Sequence, residues 1–169
     1  MIVRRERAGD VAAIREVTLA AFETDLEAKL VDALRADPGW IARLSLVAVE
    51  NEVEVGGETV VGHVVCTRAQ IDGRPALGLG PLSVLPARQR TGVGSALMHA
   101  VLGAAEALGE PIVVLLGHLD YYPRFGFRPA AELGITPPDP NWGNHFMARP
   151  LSDYDSSLRG EFAYAKPFM

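Results

Sequence analysis

The chain has 169 residues, 49% of them hydrophobic and 22% charged, a balance that suits one globular domain over residues 1–169 and excludes disordered and fibrous classes. Its 16 Lys and Arg stand against 21 Asp and Glu, a formal net charge of -5, which argues against a nucleic-acid or anionic-membrane surface because both need clustered positive charge. Cys66 is the only cysteine, so no intramolecular disulfide can form; with no signal-like leader and no apolar run long enough to cross a bilayer, a cytoplasmic location is expected.

In chain order, Ile2 to Glu6 reads as a short opening strand. Asp10 reads as the N-cap of a helix with Val11, Ile14, Val17, Leu19 and Phe22 as apolar residues. A second helical pattern puts Leu26, Leu30, Val31 and Leu34 on one face, carries Glu23, Asp25, Glu27 and Asp32 among its polar positions, and stops at Asp37-Pro38-Gly39. Leu44 to Glu50 and Thr59 to Gln70 are strand-like runs around Gly56-Gly57, a hairpin signal. Ala76 to Leu85 has no titratable side chain and predicts a central strand buried on both faces. Gly92 to Leu108 carries a long helical signature closed by Gly109 and Pro111, and Ile112 to Leu116 is another buried strand. Strand, helix and strand with short connections form a right-handed crossover, so these two strands lie parallel or splay from a parallel pair. Beyond them, Tyr121 to Phe125 reads as a short helix, Gly126 as a turn and Phe127 to Pro129 as the start of a strand. Gly134 to Gly143 reads as a loop and His145 to Leu151 as the last strand. Ser152 to Met169 is either an ordered arm or a loose end.

The chemistry begins at Gln89-Arg90-Thr91-Gly92-Val93-Gly94, which follows a buried strand and opens a long helix. The first turn of a helix has N–H groups without intrahelical partners and partial positive charge, so it can hold a phosphate. Gly92 and Gly94 let the backbone come close, while Arg88 and Arg90 put positive charge beside it in an acidic protein. A nucleotide P-loop would require Lys-Ser or Lys-Thr after the last glycine, and Ser95-Ala96 stands there instead. A dinucleotide fold would end its next strand in an acidic residue, whereas Ile112 to Leu116 runs into Gly117-His118.

Gln89, Gly92 and Gly94 resemble the pyrophosphate loop of the GNAT superfamily of acetyltransferases. Tyr122-Pro123-Arg124-Phe125-Gly126-Phe127 resembles that family's second signature, a Tyr followed after three residues by Gly-Phe. Gly80 to Pro86 and the Tyr121 to Phe127 block are similar in wording to its YhbS-type subgroup, and the resemblance is strongest over residues 80–127. It implies an α/β (α+β) fold with a mixed, mostly antiparallel central sheet, a splayed parallel strand pair and flanking helices. It also implies an N-acyltransferase that moves an acetyl or short acyl group from acetyl-CoA directly to a primary amine, on a small molecule or a protein.

On that resemblance, the pantetheine arm of coenzyme A pairs with the backbone of Leu82, Ser83 and Val84. Its diphosphate rests on Gln89, Arg90, Thr91, Gly92, Val93, Gly94 and Ser95, with Arg124 and Phe125 as further cofactor contacts, and Tyr122 is the general acid. Many members place a Glu on the strand corresponding to Ala76 to Leu85; none stands there, so Asp120, His118 and Glu23 are the alternatives for a base. Glu23, Asp25 and Glu27 either attract a cationic acceptor or are solvated charge, and the loop with Trp142 either covers the acceptor site or joins two strands. A non-catalytic acyl-CoA sensor is the competing function, and a homodimer is compatible with either. His63 and Cys66 fall on opposite faces of a strand as packing groups, and four histidines with one cysteine give no metal-ligand spacing.

Overall fold

In the computed structural model, which describes residues 1–169, the period-two pattern of the first half of the chain becomes four antiparallel strands paired in sequence order. These are β1 (Ile2–Arg5), β2 (Trp40–Glu52), β3 (Gly57–Ile71) and β4 (Arg74–Val84). β5 (Ile112–Leu116) then lies parallel to β4, and β6 (Arg128–Pro129) and β8 (Phe146–Pro150) continue the sheet antiparallel. β7 (Ile135–Thr136) pairs in parallel with β9 (Gly160–Ala163), which returns to the end of β3. The result is the mixed, mostly antiparallel sheet with one parallel pair that was expected.

Alternation along the strands sends side chains to the two faces of the sheet. Leu46, Ala48, Val61 and Val64 pack with Val93, Leu97 and Val101 of α3 (Val93–Ala107) on one face. Val47, Val49 and Val60 pack with Ile14 and Val17 of α1 (Val11–Ala21) and Val31 of α2 (Leu26–Ala36) on the other. The approach of α3 to β3 depends on Gly62, where a Cβ would stand 2.8 Å from a methyl of Leu97 and 3.1 Å from the Ser83 carbonyl oxygen. None of the helices is long and apolar enough to cross a membrane.

Three expectations need correction. Asp10 does not cap α1 with its side chain; its carboxylate accepts from the Arg7 N–H (2.7 Å) and pairs with the Arg4 guanidinium (2.8 Å), because a cation on β1 competes for it. In α2 the buried positions are Ala28, Val31 and Leu34, while Leu26 in the first turn is 67% exposed, so the apolar face is turned toward Ala28. His145 to Leu151 contains β8 but is not the last strand. The tail is an ordered arm in which β9 pairs Gln70 with Ala163 and Ile71 with Phe162, and buries Leu158 and Phe162. Full burial of each such side chain contributes roughly 1.5–3 kcal/mol, enough to hold the arm down.

The feature that positions a site is the parting of β4 and β5. They pair only at Leu77 with Val113 and Gly78 with Val114, then diverge. Beyond that point Pro81 and Ser83 remain buried while Leu82 and Val84 are half-buried, so β4 is covered on both faces only in its first part.

Candidate functional site

The loop between β4 and α3 is shaped by two residues in the left-handed region, Arg90 (φ 61°) and Gly92 (φ 94°). Gln89 Nε2 donates to the Val84 carbonyl (3.2 Å), and Thr91 Oγ1 donates to the Arg88 carbonyl (2.5 Å), which fixes the loop against the end of β4. The first bond of α3 runs from the Ala96 N–H to the Gly92 carbonyl (3.0 Å), so the N–H groups of Val93, Gly94 and Ser95 have no backbone partner. At Gly94 a Cβ would stand 2.8 Å from the Tyr121 hydroxyl oxygen, so this phenol lies directly on the first turn.

The cations differ from the expected pair. Arg88 is held by Glu50 (3.0 Å), which brings that carboxyl below the usual range by hydrogen bonding, and it does not border the large cavity beside the loop. Arg90 makes no ion pair, and Arg124 comes from the far side, stacked on Tyr121 (4.7 Å) and donating to the Asp120 carbonyl (3.1 Å). Arg90 and Arg124 both border a cavity of about 910 Å³ that also includes Leu82, Val84, Gln89 and Ser95.

A second cavity of about 510 Å³ lies across the parted strands, with Glu27, Leu30, Gly80, Trp142, Tyr164 and Phe168 among its walls. The two cavities share Phe22, Leu82, His118 and Tyr122. Tyr122 is half-buried, edge-on to Tyr121 (5.0 Å) and Phe127 (6.1 Å), and its ring lies so close to Gly117 that a Cβ there would be 2.3 Å from it. Burial, with a smaller contribution from Tyr121, pushes its phenol up to about 12, so it keeps its proton at neutral pH. The His118 carbonyl accepts from the N–H groups of Tyr121 (3.2 Å) and Tyr122 (3.3 Å), which ties the two elements of the junction together. Burial also raises the Tyr164 phenol, partly offset by a hydrogen bond at the Leu116 backbone.

The structure thus brings Leu82, Val84, Gln89, Arg90, Gly92, Gly94, Ser95, His118, Asp120, Tyr122 and Arg124 to one cavity. Ser83 faces the other way, fully buried with its hydroxyl 3.4 Å from that of Thr18. Val93 has its side chain in the core, and Thr91 spends its hydroxyl within the loop, so each has only its backbone to offer. Phe125 belongs to the core beside His99 (5.2 Å) rather than to the large cavity. Glu23 borders neither cavity, whereas Glu27, one turn later, borders the second. Tyr164 and Phe168 are wall residues that sequence reasoning missed; the aromatic spacing of Phe162, Tyr164 and Phe168 was the only signal, and its partners are remote in the chain. His63 and Cys66 are both fully buried away from the cavities, Cys66 in the core under α3 and His63 against Ser45 Oγ (2.8 Å).

Residues 42–129 match the family model of the acetyltransferase (GNAT) domain. The chain is 36% identical to the uncharacterized N-acetyltransferase YjhQ of Escherichia coli strain K12, over 94% of this chain and 88% of that protein. It superposes on the crystal structure of the GNAT family N-acetyltransferase YhbS from Escherichia coli in complex with CoA with a TM-score of 0.86 and 30% identity, covering 99% of this chain and 91% of that one. A GNAT family acetyltransferase from Brucella melitensis in complex with acetyl-CoA gives a TM-score of 0.78 and 34% identity, covering 99% of this chain and 97% of that one.

Proposed function

The chain belongs to the GNAT family of acetyltransferases, and from that premise we propose that it acetylates a primary amine from acetyl-CoA with both substrates bound at once. The observation that carries this reading is the meeting of two cavities at Tyr122, one bordered by free amides and two arginines, the other largely apolar. A sensor of acyl-CoA would need only the first.

The residues fit coenzyme A. The N–H groups of Val93, Gly94 and Ser95, with the guanidinium groups of Arg90 and Arg124, suit a diphosphate. The edge of β4 from Leu82 to Val84, left open by β5, offers backbone groups to an extended chain such as the pantetheine arm. The bound thioester supplies an acyl carbon for the amine nitrogen and a sulfur that leaves.

Tyr122 stands where the cavities join and is protonated, so its hydroxyl donates to the departing sulfur, which must gain one proton. The acceptor nitrogen releases one proton as the amide forms, which balances the one gained by sulfur, and, arriving as an ammonium, must first release another before it can attack. His118 borders both cavities, and its imidazole is the group we assign to accept it; Asp120 borders only the first cavity, and Glu23 is off the path. Glu27 gives the second cavity a negative charge for an incoming ammonium.

Two measurements test the reading. Ligand at about 100 times its Kd stabilises a native protein by about 2.7 kcal/mol, so CoA should raise the melting temperature clearly. A panel of amines followed by release of free thiol from acetyl-CoA should give sequential two-substrate kinetics. An unchanged melting temperature together with no amine-dependent thiol release would overturn the proposal.

A further inference from the structure

We infer that the second cavity selects a primary monoamine carried on a compact aromatic body, with Trp142, Tyr164 and Phe168 as the walls and Glu27 facing the ammonium. The inference rests on the acetyltransferase reading and names its acceptor.

The walls are built rather than incidental. Tyr164 stacks on Phe168 (4.3 Å), meets Trp142 (6.3 Å) and Phe162 (4.7 Å), and lies flat enough on β4 that a Cβ at Gly78 would be 2.7 Å from its ring. Trp142 is braced in turn by Phe146 (5.9 Å), which is fully buried. Such rings present π faces whose position is set before any ligand arrives, which favours a flat apolar body and tolerates an ammonium at its edge.

Charge narrows the class further. No Lys or Arg borders this cavity, in contrast to Arg90 and Arg124 in the first. The carboxylate of a free amino acid would therefore enter without a partner and beside Glu27. A polyamine would have to strip water from a second ammonium against apolar walls, with Glu27 the one carboxylate that borders the cavity. The volume of about 510 Å³ suits a small molecule, and the C-terminal turn contributes Phe168 to its wall.

The test compares 2-phenylethylamine and tryptamine with spermidine, free phenylalanine and a short peptide, by kcat/KM with acetyl-CoA and by calorimetric binding to the CoA-saturated protein. The aromatic monoamines should lead the others by about tenfold or more, the ratio that 1.4 kcal/mol of preferential binding gives. Trp142→Ala and Phe168→Ala should each raise KM for 2-phenylethylamine by about tenfold while the CoA-induced melting shift stays as in the parent. Phe168 is only partly buried, so that variant keeps its fold. Preference for spermidine, the amino acid or the peptide, or an unchanged KM in both variants, overturns the inference and leaves the acetyltransferase reading standing. If no amine turns over although CoA binds, calorimetry decides: binding of the aromatic amines supports the inference, and its absence overturns it. Failure of CoA itself to bind removes both.

Discussion

Gly117→Ala is the most revealing single change, because it moves the phenol without removing it. The new methyl would lie 2.3 Å and 2.6 Å from two ring carbons of Tyr122, whereas carbon atoms in contact settle at about 3.5–4.0 Å. The backbone cannot yield easily, since the Gly117 N–H donates to the His145 carbonyl (2.9 Å) and its carbonyl lies 3.1 Å from His145 Nδ1. The ring must therefore retreat by roughly 1 Å, and a displacement of that size costs on the order of 100-fold in turnover, about 2.7 kcal/mol of barrier. Overpacking costs about 1–3 kcal/mol of stability, less up to about 1 kcal/mol for removing a glycine from the unfolded chain, so the variant should stay folded. The assay is thiol release with the best amine of the panel, run beside Tyr122→Phe and the double variant, with CoA affinity measured in each. CoA affinity should be unchanged, and the double variant should lose no more than Tyr122→Phe alone, because both changes act through one hydroxyl. Wild-type turnover in Gly117→Ala, or losses that multiply in the double variant, would refute the assignment of Tyr122 as the acid.

Other outcomes follow from the same geometry. Arg124→Ala and Arg90→Ala should each weaken CoA by about tenfold in calorimetry, while Arg88→Ala, whose guanidinium is engaged by Glu50, should stay within about twofold. Gly62→Ala should destabilise the fold by about 1–3 kcal/mol in urea unfolding, because its methyl would press on Leu97 and Val93 of α3. Burial lowers the His63 pKa from 6.5 to about 3; Glu6 lies 3.8 Å away but is neutralised by Arg35 (2.9 Å), so desolvation prevails. Between those values the unfolded chain binds the extra proton, so this contribution is complete above pH 6.5 and is lost by up to about 1.4 kcal/mol per unit as pH falls. Urea unfolding at pH 7 and pH 5 should show a smaller difference in His63→Gln than in the parent. With the Tyr122 phenol at about 12, no alkaline limb below pH 10 in the pH–rate profile should vanish in Tyr122→Phe.

The sequence revealed the parts of this protein that depend on neighbours close in the chain. The crossover of β4, α3 and β5 was legible because an uncharged apolar run, a glycine turn and a helical period follow one another within residues 76–116, and the resemblance placed one signature within it and the other just after it. What was not legible depends on partners far apart. Arg88 was expected at the phosphate loop, and only the fold shows Glu50 of β2 taking it, whereas Arg124, expected from the resemblance, does border the large cavity. Glu23 and Glu27 are alike in chemistry, but Glu23 lies in the bend before α2 and Glu27 in its first turn, and only Glu27 borders the second cavity. The tail was ambiguous because the strand it joins, the end of β3, lies about ninety residues earlier. Pairing of that kind leaves no local period to read.

In the proposed complex, the loop before α3 and the junction at Tyr122 hold the two ends of one acetyl-CoA molecule. A crystal structure of this chain with CoA tests it most directly. The diphosphate should lie against the N–H groups of Val93 to Ser95, with Arg90 and Arg124 beside it, and the sulfur within hydrogen-bond reach of the Tyr122 hydroxyl. A diphosphate bound elsewhere, or a sulfur turned away from that phenol toward solvent, would contradict it.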